Sequence, residues 1–152
     1  MSKKTVLFIS YDGLSDPLGQ SQIIPYLAGL ADEFEISIVS CEKPDRLKKE
    51  KESIEAKLKT AGISWRYTMY RKKPTFFSTR LNLMGLKAKA RVWNRHKMFN
   101  IIHCRSILAY MVGSKMKSPN NKVIFDFRGF WAEERVDGGL WEKTNIIYYQ
   151  IY

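Results

Sequence analysis

Apolar and polar positions alternate along this chain in a way that predicts strand and helix in turn. Residues 5–11, TVLFISY, form an unbroken apolar, β-branched run that stops at Asp12-Gly13, the pattern of a strand buried on both faces. From Ser21, a candidate N-cap, to Asp32 the apolar positions Ile23, Ile24, Leu27, Leu30 and Ala31 take helical spacing, with Pro25 near the first turn. Residues 34–41, FEISIVSC, predict a second strand. Pro44 to Ala61 predicts a charged helix with a thin stripe of Leu47, Ile54, Leu58 and Ala61, closed by Gly62. Strands follow over 63–70, 99–104 and 122–127, and helices over 78–97 and 106–116. In the first of these helices Leu81, Met84, Ala88 and Val92 share one apolar face, which Gly85 weakens; in the second Leu108, Met111 and Val112 are the expected inward positions. A last helix is expected from Leu140.

The resulting order is strand–helix repeated five times with short connections. It predicts an α/β fold: a Rossmann-like open parallel sheet of five strands with helices on both faces. Such sheets bind ligands at the carboxyl ends of their strands. Those ends are the loops at 12–20, 41–44, 70–78, 104–106 and 126–139. The terminal IIYYQIY carries no cap or polar tail, so the expectation is that residues 1–152 are one truncated domain of a larger protein.

Charge adds a second layer. Of 152 residues, 26 are Lys or Arg and 15 are Asp or Glu, a net charge of +11. No acidic residue lies between Glu55 and Asp126, a span holding 16 basic residues. Such a run produces a broad positive field that suits an anionic membrane, an anionic substrate or nucleic acid, or that merely keeps the surface solvated. No zinc finger, basic zipper or recognition-helix pair is present, so nucleic acid is not the expected partner. Arg71, Lys72 and Lys73 precede Phe76 and Phe77, and Trp93 lies among basic residues; these six are the candidate membrane contacts, although Trp93 turned inward would be explained by packing alone. No apolar run approaches the roughly 18 residues of a membrane span, and the N-terminus lacks a signal-peptide pattern, so the expected location is the cytoplasm, with peripheral attachment to the inner membrane face.

The strand ends hold the candidate chemistry. The loop from Asp12 to Ser21 contains Gly13 and Gly19, which suit tight turns or close backbone approach, and the helix after it offers amide donors to an anion. It matches neither the P-loop nor the GxGxxG spacing. His103 is a candidate acid, base or donor, and Arg105 a candidate clamp for phosphate or carboxylate; a satisfied structural histidine is the plainer reading of the first. Cys41, Cys104, His96 and His103 lack metal-ligand spacing, so no metal or other cofactor is expected; Cys104 is a candidate nucleophile whose expected fate is burial. The segment 126–139 places Arg128, Trp131, Glu133 and Glu134 in one loop, a mixture of rings and carboxylates that suits sugar or protein contact and equally suits internal ion pairing.

Three stretches together, VLFISYDGLSDPLGQSQIIPYLAGLA at 6–31, IIHCRS at 101–106 and VIFDFRGFWAEERVDGGLW at 123–141, resemble the N-terminal domain of a retaining glycosyltransferase of family 4, with the two-domain GT-B fold. The resemblance implies a Rossmann-like acceptor-side domain facing a C-terminal nucleotide-sugar domain that this sequence does not contain. It implies sugar transfer from a nucleotide-sugar donor to a glycan or lipid-linked acceptor with retention, as in polysaccharide and cell-envelope synthesis, without a divalent metal. It implies donor contact by Gly13, Gly19 and Gln20, a sugar pocket lined by His103 and Arg105, and acceptor binding or support by Asp12, Arg128, Trp131, Glu133 and Glu134. The family's common pattern has a histidine nearer position 105, where this sequence has Arg105. Alone, residues 1–152 are expected to be inactive. The rival expectation is a noncatalytic basic α/β module that binds a membrane surface or a protein partner.

Overall fold

A computed structural model describes residues 2–73, 75–128 and 138, with only the backbone described for 75 and 76. The strands are β1 (Lys4–Ser10), β2 (Phe34–Glu42), β3 (Ser64–Met69), β4 (Ile101–Arg105) and β5 (Lys122–Asp126). The helices are α1 (Ile24–Leu30), α2 (Pro44–Thr60), α3 (Thr75–Lys97) and α4 (Ser106–Gly113), the last continued by a 3₁₀ turn at Ser114–Met116. All strand pairs are parallel, in the order β3-β2-β1-β4-β5. The predicted fold class is therefore the observed one.

Two apolar layers sandwich the sheet. Val6, Phe8, Ile36 and Ile38 point to one face and pack with Ile23, Leu27, Ile54 and Leu58 from the α1 and α2 segments. Leu7, Ile9, Val39 and Ile102 point to the other and pack with Leu86, Ala90 and Val112 from α3 and α4. Because side chains alternate along a strand, a central strand covered on both sides must be apolar at every position, which is why β1 reads as a continuous apolar run. The α2 stripe of Leu47, Ile54 and Leu58 is buried as its spacing predicts. Gly62 ends that helix at φ +67°, with its N–H bonded to Lys59 O and the Ile63 N–H to Leu58 O, a complete Schellman closure.

Four expectations need correction. Ser21 is not an N-cap: it sits inside a π turn at Gly19–Ile23 that runs straight into α1, and its hydroxyl donates to Pro17 O. The π turn suits Pro25, which cannot donate to the carbonyl four residues back and would crowd it; the Ile24 N–H instead reaches five residues back to Gly19 O. On α3 the face carrying Leu81, Met84, Ala88 and Val92 is the outward one, and the core takes Asn82, Leu86, Ala90 and Trp93. Trp93 is 8% exposed, edge-on to Phe99 and under the Arg66 guanidinium, so it is a core residue and not a membrane contact. On α4, Met111 likewise faces out. The helix expected from Leu140 lies outside the described residues.

Gly13 and Gly19 are required by close approach and not by a left-handed backbone. A Cβ on Gly19 would run into Gly13 O and the Leu14 backbone, whereas one on Gly29, within α1, would meet nothing within 4 Å. Gly19→Ala is expected to destabilise the fold by about 2 kcal/mol. Gly29→Ala is expected to stabilise it by about 0.5 kcal/mol through helix propensity. Urea denaturation of the two variants beside the parent measures both.

Candidate functional site

The crossover after β1 leads to α1 on one face, and the crossover after β4 leads to α4 on the other. β1 and β4 are neighbours, so their carboxyl ends part at this point and leave a crevice, the position at which open α/β sheets hold ligands. The 11–18 loop forms one wall. Arg105 and Ser106 form the other.

The first wall is fixed by a residue that sequence reasoning missed. Glu42, at the end of β2, is completely buried and accepts four hydrogen bonds: from Leu14 N–H (2.6 Å) and Ser40 Oγ (2.6 Å) on Oε1, and from Ser15 N–H (3.0 Å) and Ser15 Oγ (2.6 Å) on Oε2. A buried carboxylate with this many donors is satisfied, and it holds the loop rigidly. Gly13 passes directly over it; a Cβ there would sit 2.6 Å from Oε2. Asp16, next in the loop, pairs with Lys43 (3.0 Å) and Arg46 (2.6 Å) at the start of α2. The only signal in the sequence is an acid closing an apolar strand.

This geometry revises the role expected of the loop amides. The N–H groups of Leu14 and Ser15 are taken by Glu42, that of Asp16 by Gly13 O, and that of Gln20 by Asp16 O. They are not available to an anion, and the Glu42 carboxylate beneath them would repel one. The Gln20 side chain is also engaged within the chain, donating to Leu14 O (3.0 Å) and accepting from Lys57 Nζ (2.8 Å). Asp12 stands at the mouth of the crevice; desolvation raises its carboxyl above the ordinary range, and attraction from Arg105 opposes that rise.

The second wall carries the cation. Arg105 is 5% exposed, and its one side-chain hydrogen bond among the described residues is to Gln22 Oε1 at 2.9 Å. No carboxylate among the described residues lies within ion-pair distance of it. Desolvation lowers its pKa, and Arg128 lowers it further. A guanidinium has five N–H donors, and among the described residues Gln22 engages one of those of Arg105. The adjacent Ser106 takes φ +73°, a left-handed conformation that costs a non-glycine residue about 1–3 kcal/mol and is concentrated at functional turns.

His103 lies one step back on the same face of β4, edge-on to Phe8 (4.7 Å) and Tyr26 (6.1 Å). Its Nε2 is 3.5 Å from Asp126 Oδ2, outside hydrogen-bond geometry, and that oxygen already accepts from Arg128 Nε (2.9 Å) and is ion-paired with Nη2 (2.8 Å). Desolvation lowers the His103 pKa below 6.5, with Asp126 working against it. Two buried side-chain atoms among the described residues lack a hydrogen-bond partner, Ser10 Oγ and His103 Nε2. Ser10 is opposite Arg105 in the β1–β4 register, so its hydroxyl falls beside the crevice, whereas His103 Nε2 is directed toward Asp126 on β5.

Of the remaining predicted residues, Trp131, Glu133 and Glu134 lie outside the described residues. Arg71, Lys72, Lys73 and Phe77 are exposed at the α3 end of the sheet, and the Phe76 side chain is not among those described. Cys41 and Cys104 are buried with both thiols pushed up to about 12 by desolvation, which leaves no thiolate for nucleophilic chemistry at neutral pH. Among the described residues, no group of three or more His, Cys, Asp or Glu is placed to hold a metal ion.

Neither a family model nor a curated protein matches the sequence. Among solved structures, the chain is similar to CalG4, the calicheamicin glycosyltransferase, with a TM-score of 0.57 and 11% sequence identity. The alignment covers 99% of this chain and 41% of that one. At this identity the likeness establishes the fold: the chain has the architecture of part of a glycosyltransferase and spans less than half of the CalG4 chain.

Two outcomes are expected. Glu42→Gln should destabilise the fold by about 3 kcal/mol, because it removes charge from four hydrogen bonds and aims amide hydrogens at donors; urea denaturation reads it. Below pH 6.5 the unfolded chain protonates His103 before the folded chain does. Stability is therefore full above that value and falls as the pH drops from it toward the lowered folded pKa. His103→Asn should flatten that part of a stability-against-pH curve.

Proposed function

We propose that this chain is the N-terminal, acceptor-side half of a GT-B glycosyltransferase of the retaining family 4 type. A second nucleotide-binding domain completes the enzyme across the carboxyl edge of the sheet. The observation that carries this reading is Arg105, a buried guanidinium bonded among the described residues to Gln22 alone, in register with Ser10 and its orphan Oγ at the switch point of the sheet. The likeness to part of a glycosyltransferase supports the same assignment.

In the proposed reaction the bond from the sugar anomeric carbon to the donor phosphate oxygen breaks. A bond from the same carbon to an acceptor hydroxyl oxygen forms with unchanged configuration, and the hydroxyl proton passes to the departing phosphate oxygen. Negative charge grows on the leaving phosphate. Arg105 is the group placed to meet it: its charge is fixed, its surroundings are dry, and Gln22 limits its rotation, so little reorganisation is needed as the bond breaks. Asp12, across the crevice, accepts hydrogen bonds from sugar hydroxyls. His103, neutral and set behind Arg105, is a positioning residue that acts with Asp126 and Arg128. The loop of Gly13, Gly19 and Gln20 forms the wall against which the sugar rests, shaped by Glu42. Arg128, Trp131, Glu133 and Glu134 are assigned to binding the glycan or lipid-linked acceptor on the cytoplasmic side of the membrane.

The test is a transfer assay on the two halves together, across a panel of nucleotide sugars. Residues 1–152 alone should be inactive. In the joined enzyme Arg105→Ala should lower kcat by about 100-fold or more while leaving the thermal transition in place. Full transfer by residues 1–152 alone, or an Arg105→Ala enzyme as fast as its parent, would overturn the assignment.

A further inference from the structure

The outward face of α3 is apolar for most of its length. Phe77, Leu81, Met84 and Val92 recur at helical spacing and are 61%, 37%, 57% and 48% exposed. They lie directly opposite the core face of Leu86, Ala90 and Trp93, so this helix has two apolar sides. On a helix that needs only one side for its core, a second apolar stripe has no role in the packing of the described residues. Arg80, Lys87 and Arg91 follow one border of the stripe. The Lys87 ammonium is pushed below its ordinary pKa by Arg91 and also by Lys115, which brings a further positive charge to the same place from the 3₁₀ turn. No acid intervenes anywhere from residue 56 to residue 125, so the charge around the stripe is uncompensated by α3, α4 or the strands between them.

We infer that α3 is an interfacial helix, and that this face docks on a lipid bilayer bearing anionic headgroups. The helix has 23 residues, about 35 Å of length, and presents its apolar side chains in one line along the outer layer of the domain. That form fits a flat surface: the side chains enter the acyl boundary while the basic border meets the headgroups. Charge complementarity selects an anionic membrane, since each basic residue near such a surface adds roughly 1 kcal/mol. Among the described residues no helix is long and apolar enough to cross a membrane, so the contact is one of lying on the bilayer. Trp93 is turned into the core, so the α3 stripe is the centre of the proposed membrane contact. It does not depend on sugar transfer.

Sedimentation of the full chain with vesicles tests it. Binding is expected to vesicles of equal parts phosphatidylcholine and phosphatidylglycerol, to weaken with added salt, and to be at least about tenfold weaker on phosphatidylcholine alone. Met84→Ser with Val92→Ser, and separately Lys87→Glu with Arg91→Glu, should each reduce binding about tenfold or more. Lys48→Glu with Lys49→Glu makes the same change in net charge on exposed α2 positions and should reduce it far less. All these positions but the half-buried Lys87 are exposed, and an unchanged thermal transition verifies folding. The inference fails if the α3 variants bind like the parent, if the α2 variant loses as much as the charge-reversed α3 variant, or if neutral and anionic vesicles bind equally. It also fails if the stripe supports self-association, dissolved by the Met84/Val92 variant, in place of vesicle binding. Arg105→Ala should bind vesicles like the parent, which separates this result from failure of the proposed transfer activity.

Discussion

The Glu42 carboxylate ties the carboxyl ends of β1 and β2 together, and the crevice depends on that tie. Four donors converge on two oxygens at complete burial. Such a group is expensive to bury and costly to disturb, so the loop that supplies the donors has little freedom. Two consequences follow directly. Position 13 must lack a side chain, because the chain passes within contact of the carboxylate. Position 19 must lack one too, because the π turn then packs against the same loop. The amides that a helix-start loop would otherwise present to a phosphate are also consumed. An anion in this crevice must find its positive charge elsewhere, and Arg105 is the buried cation on the opposite wall.

The sheet was legible in the sequence because burial on both faces removes ambiguity. A run such as TVLFISY cannot be placed on a half-exposed strand without exposing several large apolar groups. Gly62 marked the end of α2 for a similarly local reason, since its left-handed φ is a property of one residue. The α3 helix was legible as a helix but not in its orientation. Helical spacing identified Leu81, Met84, Ala88 and Val92, yet Leu86, Ala90 and Trp93 obey the same period on the opposite side. Periodicity alone does not state which side meets the sheet. Asn82 helps to decide it: its amide bonds Arg71 N–H and O and the Tyr11 hydroxyl, so a polar residue takes a core position.

The candidate site was legible only in part, and the division is physical. Arg105 could be found because it is a charge at the end of an apolar strand. Glu42 could not be given its role, because its partners at positions 14 and 15 are some 27 residues away in sequence and meet it only through the β1–β2 register. His103 illustrates the reverse case. Its chemistry drew attention, but alternation along β4 carries it onto the α1 face against Phe8 and Tyr26, one step back from the strand end.

The two concentrations of positive charge differ in dielectric setting, and this makes their roles separable. The basic border of α3 lies in water, where salt screens it over about 8–10 Å and where each charge counts little unless an extended anionic surface engages several at once. Arg105 is enclosed, so screening is weak and a single anion brought within hydrogen-bond reach would recover much of the solvation it has lost. An exposed row of charges therefore suits a surface that is broad, variable and reversibly bound. A buried guanidinium restrained by Gln22 suits one small group in one orientation. α3 begins at the carboxyl edge of the sheet, the edge that also holds the crevice, so a bilayer against its outward face would lie alongside the crevice and leave its mouth open. A lipid-linked acceptor could then reach the site without leaving the surface that anchors it.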